Sequence, residues 1–466
     1  MTRLLTVLAL PVLLGAAALL PTSSPVTFSE TVAPILYENC VTCHRPGQAA
    51  PFSLITYEDV KKKGKLIAKV TESRYMPPWH AAHGYGEFAD ERRLTDAQIA
   101  TLGDWFKQGM PQGDPGKMPT LPQFPEGWHL GTPDLVLQMP AAYELPASGP
   151  DVYRNFVVPT HLLEDKWVRA VEFRPSARKA VHHVLFAYDS SGAAAKQDGK
   201  DGRPGFSGMG TVGVGGIQGA SGPLGGWAVG ATPVFLPEGV ALPLPKGSDV
   251  ILQMHFHLTG KPETEQATIG IYFTGKAPER KLWSVQVPAL FGFGSGIDIP
   301  AGEKNYVIED SLTLPVDMKA LSVAAHAHYL AKEMKATANL PDGTTQPLLW
   351  IQDWDFNWQD RYVYKAPVVL PKGTRIDVRL VYDNSEDNPH NPNPTTPKRV
   401  LWGEQSFDEM GSVVLAMQSA RKEDEPVLQR VLGDRVRTAI NRGMENGTLK
   451  RFLEQRGGRG GHFSPE

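Results

Sequence analysis

Two cysteines and a histidine near the N-terminus form the pattern with the clearest chemistry. Cys40 and Cys43 are the only cysteines among 466 residues, and His44 follows directly. A Cys-x-x-Cys-His run is typical of c-type haem attachment, because the two thiols can form thioethers with the haem vinyl groups while the histidine binds the iron. A disulfide and a thiol redox pair are the alternatives, and the adjoining histidine favours one covalent haem.

A haem iron bound by His44 needs a second axial ligand, and three nearby residues are candidates. Met76 lies in the run Arg-Tyr-Met-Pro-Pro-Trp, where the prolines predict an extended loop that can present the thioether to the iron. His80 and His83 are the rivals. Ligation by two histidines lowers the reduction potential relative to histidine and methionine, and we predict Met76.

A second group of candidate ligands consists of histidine pairs. Six of the 13 histidines form three pairs, namely His182 with His183, His255 with His257, and His326 with His328. Side chains two residues apart on a strand point to the same face, so the second and third pairs can each converge on one site. Because no cysteine remains for structural zinc, imidazole ligands favour copper.

The elements that position these residues change type along the chain. From about Thr27 to Pro115 apolar residues recur every three or four positions, which predicts helices. Thr95 and Gln98 form a capping-box signal for the last helix, and Gly109 suits its end. This region resembles the small class I cytochromes c.

Beyond residue 133 the pattern has a period of two, as in Arg375–Tyr382, which predicts short strands. The length allows two jelly rolls that meet near residues 274–281. The stretch Gly202–Gly226 lacks periodicity and is predicted to be a flexible loop, either a lid or a surface insertion. Helical character returns at Lys422–Gln455.

We therefore predict a multidomain fold, with an all-α cytochrome c domain followed by two mostly antiparallel β jelly-roll domains and a C-terminal helical tail. The predicted segments are a signal peptide (1–24), the cytochrome c domain (25–115), a linker (116–133), the jelly-roll domains (134–278 and 279–420), and a helical segment with a disordered tail (421–466).

The N-terminal residues predict export. Arg3 precedes an apolar run from Leu4 to Leu20, as in a secretory signal, so the mature protein is expected in the periplasm or otherwise outside the cytoplasm. An uncleaved N-terminal membrane anchor is the alternative. The net charge of -3 gives no indication of a nucleic-acid partner.

The order of the histidine pairs resembles the copper type II, ascorbate-dependent monooxygenases, the group of peptidylglycine and dopamine monooxygenases. The similarity spans about residues 134–418. It implies two copper ions, one in each jelly roll, facing each other across open solvent. The implied ligands are His182, His183 and His255 for an electron-storing copper, and His326, His328 and Met410 for the copper that binds O2. His257 is an extra histidine that either orients a ligand or faces solvent.

The resemblance implies a monooxygenase that hydroxylates an organic substrate with O2. We expect the haem to relay electrons from an external donor to the electron-storing copper. Ala324 and Val414 stand where the peptide enzyme has an arginine and a tyrosine that bind its substrate, so peptide amidation is not expected. The alternatives are a non-catalytic periplasmic haem protein that transfers electrons or binds copper, and a periplasmic scaffold.

Overall fold

A computed structural model describes residues 25–48, 50–89, 91–124, 127–207, 221–229 and 231–458. The predicted signal peptide and residues 459–466 of the predicted disordered tail lie outside the described residues. Within those ranges, no helix combines the length and apolar character needed to cross a membrane.

Helices lie at the two ends of the described chain. The five α-helices of the described residues are α1 (Ala33–Asn39), α2 (Tyr57–Glu72), α3 (Asp96–Lys107), α4 (Glu425–Glu445) and α5 (Thr448–Gly458). Shorter helical turns lie at Phe28–Val32, Pro115–Lys117, Ala289–Gly292 and Lys422–Asp424. The predicted start of α3 is confirmed, because Thr95 and Gln98 form a capping box. Gly109 follows the helix with a φ of 81°, the left-handed conformation that ends helices.

The first sandwich comprises the strands of residues 135–274. They are β1 (Leu135–Gln138), β2 (Tyr143–Leu145), β3 (Val152–Pro159), β4 (Lys166–Arg174), β5 (Val181–Asp189), β6 (Phe206–Ser207), β7 (Ser221–Ala228), β8 (Leu242–Leu244), β9 (Asp249–Phe256), β10 (Glu263–Glu265) and β11 (Thr268–Thr274). A five-stranded sheet of order β6-β3-β9-β5-β7 packs on a four-stranded sheet of order β1-β11-β4-β8, and one apolar core fills the space between them.

The second sandwich comprises the strands of residues 283–419. They are β12 (Trp283–Val287), β13 (Asp298–Ile299), β14 (Tyr306–Thr313), β15 (Met318–Ala327), β16 (Ala331–Asn339), β17 (Thr345–Ile351), β18 (Arg361–Leu370), β19 (Arg375–Tyr382), β20 (Val400–Leu401) and β21 (Gly411–Ser419). Its two four-stranded sheets have the orders β12-β21-β15-β18 and β14-β19-β16-β17 and share a second core. The strand predicted at Arg375–Tyr382 is confirmed.

The prediction that Gly202–Gly226 contains no strand is wrong for part of the segment. Strand β6 and most of β7 lie within it, and β7 pairs with β5, while residues 208–220 lie outside the described residues. The sequence pattern did not predict this strand, because glycine has no side chain and so cannot contribute to the alternation of apolar and polar residues. Gly222 lies against the Tyr188 ring so closely that a β-carbon would collide with it.

The predicted fold class is wrong. Among the described residues 21 strands stand against five α-helices, and the N-terminal helices do not form a separate all-α domain. Between α2 and α3 the chain leaves the helices and joins the second sandwich, where Ala81 pairs with Ile351 and Phe88 with Tyr364. Ala81 and Phe88 are buried in the core of that sandwich. Helical periodicity could not show this docking, because it reports neighbours along the chain and not distant partners.

Candidate functional site

The first set of candidate ligands lies on two neighbouring strands of the first sandwich. His183 on β5 stands opposite His255 on β9, and the register of the two strands shifts between Val181 and His183. Successive residues of a regular strand point to opposite faces, but such an irregularity re-aims one of them. His182 and His183 therefore both turn towards His255.

These three imidazoles, the three-histidine group, converge through their Nδ1 atoms. His183 Nδ1 lies 3.1 Å from His182 Nδ1 and 3.4 Å from His255 Nδ1. Nitrogens that share a metal at bonds of about 2.0 Å are separated by roughly 3.1–3.5 Å, so the spacing fits one ion. The donor atoms of the three residues all lie within 4.8 Å of one another.

A carboxylate holds His255 in the orientation that presents Nδ1. Asp151 accepts hydrogen bonds from His255 Nε2 at 2.9 Å, from His257 Nδ1 at 3.1 Å, and from the hydroxyl of Ser406 at 2.9 Å. Burial alone would raise the pKa of Asp151, but the hydrogen bonds from the two histidines outweigh it and hold that pKa well below its usual range. His257 thus forms a hydrogen bond with the carboxylate that holds His255. Ser406 belongs to the second sandwich, so Asp151 also ties the two sandwiches together.

The second set of candidate ligands, the histidine–methionine group, lies on β15 and β21. His326 is near the end of β15, His328 follows that strand, and Met410 precedes β21. The Nε2 of His326 lies 3.1 Å from the Met410 sulfur, and the rings of His326 and His328 are 5.4 Å apart. The side-chain oxygen of Gln359 accepts a hydrogen bond from His326 Nδ1 at 2.5 Å, and the Asp408 carbonyl accepts one from His328 Nδ1 at 3.1 Å. Both rings are therefore fixed with Nε2 available.

A buried glutamate supports this group from behind. Glu409 accepts hydrogen bonds from the backbone N–H groups of His328, Leu330 and Met410 at 2.6–2.9 Å. Burial raises the pKa of Glu409 to about 8, although these three bonds lower it. Gly411 allows the Tyr382 hydroxyl to approach and donate to the Met410 carbonyl at 3.2 Å, because any side chain there would collide with that hydroxyl.

The two groups lie next to each other between the sandwiches, and the cluster of their six side chains is called the chamber below. The rings of His183 and His326 are 6.4 Å apart, so the open solvent between the copper sites that the resemblance implied is not found. Phe356, from the loop between β17 and β18, stacks on His182 at 4.8 Å and lies 6.0 Å from both His255 and His328. An aromatic side chain thus fills space where water would otherwise separate the groups.

Burial keeps the imidazoles neutral. It lowers the pKa of His182 to about 3 and that of His326 to about 4, and the neighbouring histidines lower both further. The pKa values of His183 and His328 are lowered well below 6.5 for the same reason. Neutral imidazole is the form that binds metals, so the chamber needs no deprotonation before loading.

The Cys-x-x-Cys-His motif forms a turn after α1. The His44 N–H donates to the Cys40 carbonyl at 2.9 Å, and His44 Nδ1 is 3.1 Å from the Phe52 carbonyl. That bond leaves Nε2 as the nitrogen available to a metal. Burial raises the pKa of Cys40 to about 12, whereas redox-active thiols have lowered values, so the thiol-pair alternative is disfavoured. The donor set therefore fits a covalent haem.

The three candidates for the second haem ligand lie in different surroundings. Met76 lines a small cleft with Thr71, Leu94 and Ile99. His83 has a side chain that is 83% exposed. The Nδ1 of His80 is 3.2 Å from the Asp353 carbonyl in the β17–β18 loop, and its Nε2 is buried without a partner among the described residues.

Sequence reasoning missed the residues that orient the ligands. Asp151 and Gln359 each contact a histidine that is distant from them in the sequence, namely His255 and His326. Glu409 accepts hydrogen bonds from backbone N–H groups of the candidate ligands. Glu409 lies directly before Met410, and this adjacency was the one local signal available for it. Asp151 and Gln359 carry no local pattern that separates them from other surface residues.

Asp151→Asn is expected to weaken copper binding at the three-histidine group. Asparagine keeps the size of the side chain but removes the charge that holds the His255 ring, and loss of such a partner typically costs about 10- to 100-fold in metal affinity. Copper titration with a competing chelator measures the change. The control is Ser406→Ala, which removes one hydrogen bond and leaves the carboxylate, so an equal effect of both variants would contradict a role through His255.

The metal-free protein is expected to lose stability as the pH falls below about 6.5. A histidine in the unfolded chain takes up a proton near that pH, whereas burial lowers the pKa of His182 to about 3 and that of His326 to about 4 in the folded protein. Each such histidine lowers the free energy of unfolding by about 1.4 kcal/mol per pH unit across that window. Denaturant unfolding between pH 7.5 and 5 measures the slope. His326→Gln should make the slope shallower, and a flat profile in the parent protein would contradict the prediction.

No protein family and no curated protein matches the chain. Among solved structures, the major capsid protein P2 of bacteriophage PM2 shares 12% identity at a TM-score of 0.22, over 60% of this chain and 97% of the capsid chain. The VP2 subviral particle of infectious bursal disease virus shares 13% at 0.16, over 61% and 72%. PNGF-II shares 9% at 0.23, over 61% and 65%. TM-scores this low do not show a shared fold.

Proposed function

We propose that the chain is an exported, copper-dependent monooxygenase that hydroxylates an organic substrate with O2 and receives electrons through its own c-type haem. The observation that carries the proposal is the meeting of two ligand sets in one buried chamber. One set consists of three imidazole nitrogens, and the other of two imidazoles and a thioether. Each would hold one copper ion, and Cys40, Cys43 and His44 would hold the haem.

Copper at these ligands would cycle between its cupric and cuprous states and so supply the one-electron chemistry that reaction with O2 requires. The protein supplies neutral imidazoles that are already aimed. Asp151, Gln359 and the Asp408 carbonyl each fix one ring, so little reorganisation is needed when the metal enters. The sulfur of Met410 would favour the reduced state of a copper ion held there.

The aromatic residues around the chamber limit the access of water. Phe356 stacks on His182, and the centroid of the Phe291 ring lies 5.1 Å from that of His326. Phe291 and the preceding Leu290 both have positive φ values, 52° and 51°, which are rare for residues with side chains. A strained backbone maintained beside a ligand is typical of functional sites.

Metal analysis combined with oxygen uptake tests the proposed function. We expect two copper ions and one covalent haem for each chain, together with reductant-dependent oxygen uptake that stops when copper is removed. A chain that binds one copper ion or none, and whose haem reacts with oxygen independently of copper, would favour the non-catalytic electron-transfer alternative.

A further inference from the structure

Exposure to solvent differs among the three members of the histidine–methionine group. His328 is 1% exposed and Met410 is 3% exposed, whereas His326 is only partly buried. The centroid of the Phe291 ring lies 5.1 Å from that of His326, nearer than the ring of His328 at 5.4 Å and that of His183 at 6.4 Å. Phe291 is also partly exposed. A molecule that approaches this group from solvent therefore meets His326 first, with Phe291 beside it.

The backbone that carries Phe291 needs support from its neighbours. Leu290 and Phe291 have φ values of 51° and 52°, and Gly292 follows with 80°. Left-handed conformations of residues with side chains persist only where surrounding contacts maintain them. On one side the turn lies against the start of β21, because a β-carbon at Gly292 would be 2.9 Å from the Ile297 side chain and 3.2 Å from the Gly411 carbonyl oxygen.

Trp402 holds the same turn through a hydrogen bond and through ring contacts. Its Nε1 donates to the Phe291 carbonyl at 3.0 Å. Its ring meets the Phe293 ring edge-on at 4.8 Å and lies 5.7 Å from the ring of Phe452 in α5. The rings of Phe293 and Phe452 are 6.3 Å apart. Three aromatic rings thus connect α5 to the residues around Phe291.

Helix α4 packs against the residues that follow Phe291 so closely that only small side chains fit. A β-carbon at Gly443 would collide with the Phe293 ring, and one at Gly294 would collide with the Ala439 carbonyl oxygen. Ala439 and Gly443 are four residues apart in α4 and so lie on one face of the helix. Ala439 also belongs to one apolar cluster with Leu290 and Phe293. The C-terminal helices therefore support the chain on both sides of Phe291.

We propose that Phe291 controls access to His326 and that the C-terminal helices α4 and α5 hold this ring in place. Phe291 is the specificity-determining residue, while Trp402 and Gly443 are positioning residues that act through it. The inference rests on the proposed function for its consequence, since the histidine–methionine group is the proposed site of the reaction with O2. It gives the helical segment a role at the site, from which α4 and α5 are separated by the Phe293 and Trp402 rings.

Chemical modification of His326 in the metal-free, full-length protein tests the control of access. Diethyl pyrocarbonate near neutral pH modifies neutral imidazoles, and peptide mass spectrometry gives the rate at each histidine. Phe291→Ala should raise the rate at His326 at least about 10-fold, because a covered group reacts only as often as its cover opens. Phe291→Tyr keeps a ring of similar size and should keep the parent rate. The exposed His390 is the internal reference and should react equally in all variants.

Two glycine substitutions in α4 test the part that the helix plays. Gly443→Ala should displace the Phe293 ring, release the left-handed turn and raise the rate at His326. Gly433→Ala is the matched control, because it makes the same change in the same helix where a β-carbon would meet only the end of the flexible Arg437 side chain, at 3.6 Å. It should leave the rate at His326 unchanged.

A milder variant tests the support given by the tryptophan. Trp402→Phe removes the hydrogen bond to the Phe291 carbonyl but keeps an aromatic ring, so the rate at His326 should rise by less than in Phe291→Ala. This variant also decides the matter should Gly443→Ala fail to fold.

The outcomes separate the ring, the helices and the proposed function. An unchanged rate at His326 in Phe291→Ala would overturn the inference, and so would equal rises at His326 and His183, which would indicate general loosening. Parent rates in both Gly443→Ala and Trp402→Phe would overturn the role of the helices. Because the measurement uses no copper, the inference can fail while two copper ions and copper-dependent oxygen uptake still support the monooxygenase, and the reverse also holds.

Discussion

His183→Ala is expected to remove copper from the three-histidine group, so that copper content falls from two ions to one for each chain. His183 Nδ1 lies 3.1 Å from His182 Nδ1 and 3.4 Å from His255 Nδ1, and its removal leaves only two imidazoles for the ion. Loss of an outer partner alone costs about 10- to 100-fold in affinity, and removal of this ligand should cost more than roughly 100-fold. Metal analysis after dialysis against a chelator gives the copper content.

The matched control for this variant is His390→Ala. His390 is exposed in the loop between β19 and β20 and belongs to neither ligand group, so its replacement should leave two copper ions bound. Copper paramagnetic resonance should show the signal of the three-histidine group lost in His183→Ala and kept in the control. Two bound ions in His183→Ala would show that this group is not a metal site.

Met410→Leu is expected to abolish copper-dependent oxygen uptake while the fold is kept. Leucine fills nearly the same volume, so the free energy of unfolding should change by less than about 1.5 kcal/mol. The thioether 3.1 Å from His326 Nε2 is lost, and with it the soft ligand that favours cuprous copper. We expect oxygen uptake to fall at least about 100-fold, which corresponds to roughly 2.7 kcal/mol in the activation barrier.

Met417→Leu is the control for the methionine substitution. Met417 lies on the same strand, β21, and is buried in the core of the second sandwich. Its replacement tests the same change of side chain away from the histidines, so oxygen uptake should stay close to that of the parent protein. Unchanged oxygen uptake in Met410→Leu would remove the sulfur from the proposed chemistry, and an equal loss in both variants would indicate a packing effect.

Local sequence patterns were sufficient where the deciding contacts are close along the chain. The capping box at Thr95 joins residues three apart, and the strand at Arg375–Tyr382 shows the alternation of a half-buried sheet. The Cys-x-x-Cys-His turn brings its own donors together within five residues. The strand pattern failed at Gly222 and its neighbours, because glycine carries no apolar side chain to alternate.

Contacts between distant segments could not be predicted in this way. The helical pattern around Met76 suggested a free-standing cytochrome c domain, yet the following residues pair with strands about 270 positions later. The apolar character of a residue such as Phe88 predicts that it is buried, but it does not identify the residues against which it packs.

By itself, the sequence determined the types of ligand available, namely one Cys-x-x-Cys-His motif, three histidine pairs and a methionine in a recognisable order. Only the tertiary structure decided that His182 and His183 both turn towards His255. It also decided that the ring centroids of His183 and His326, one from each ligand group, lie 6.4 Å apart. The residues that fix the rings, Asp151 and Gln359, likewise became evident only in the tertiary structure. The physical reason is that donor chemistry belongs to each residue, whereas donor geometry depends on strand register and on how the sandwiches pack.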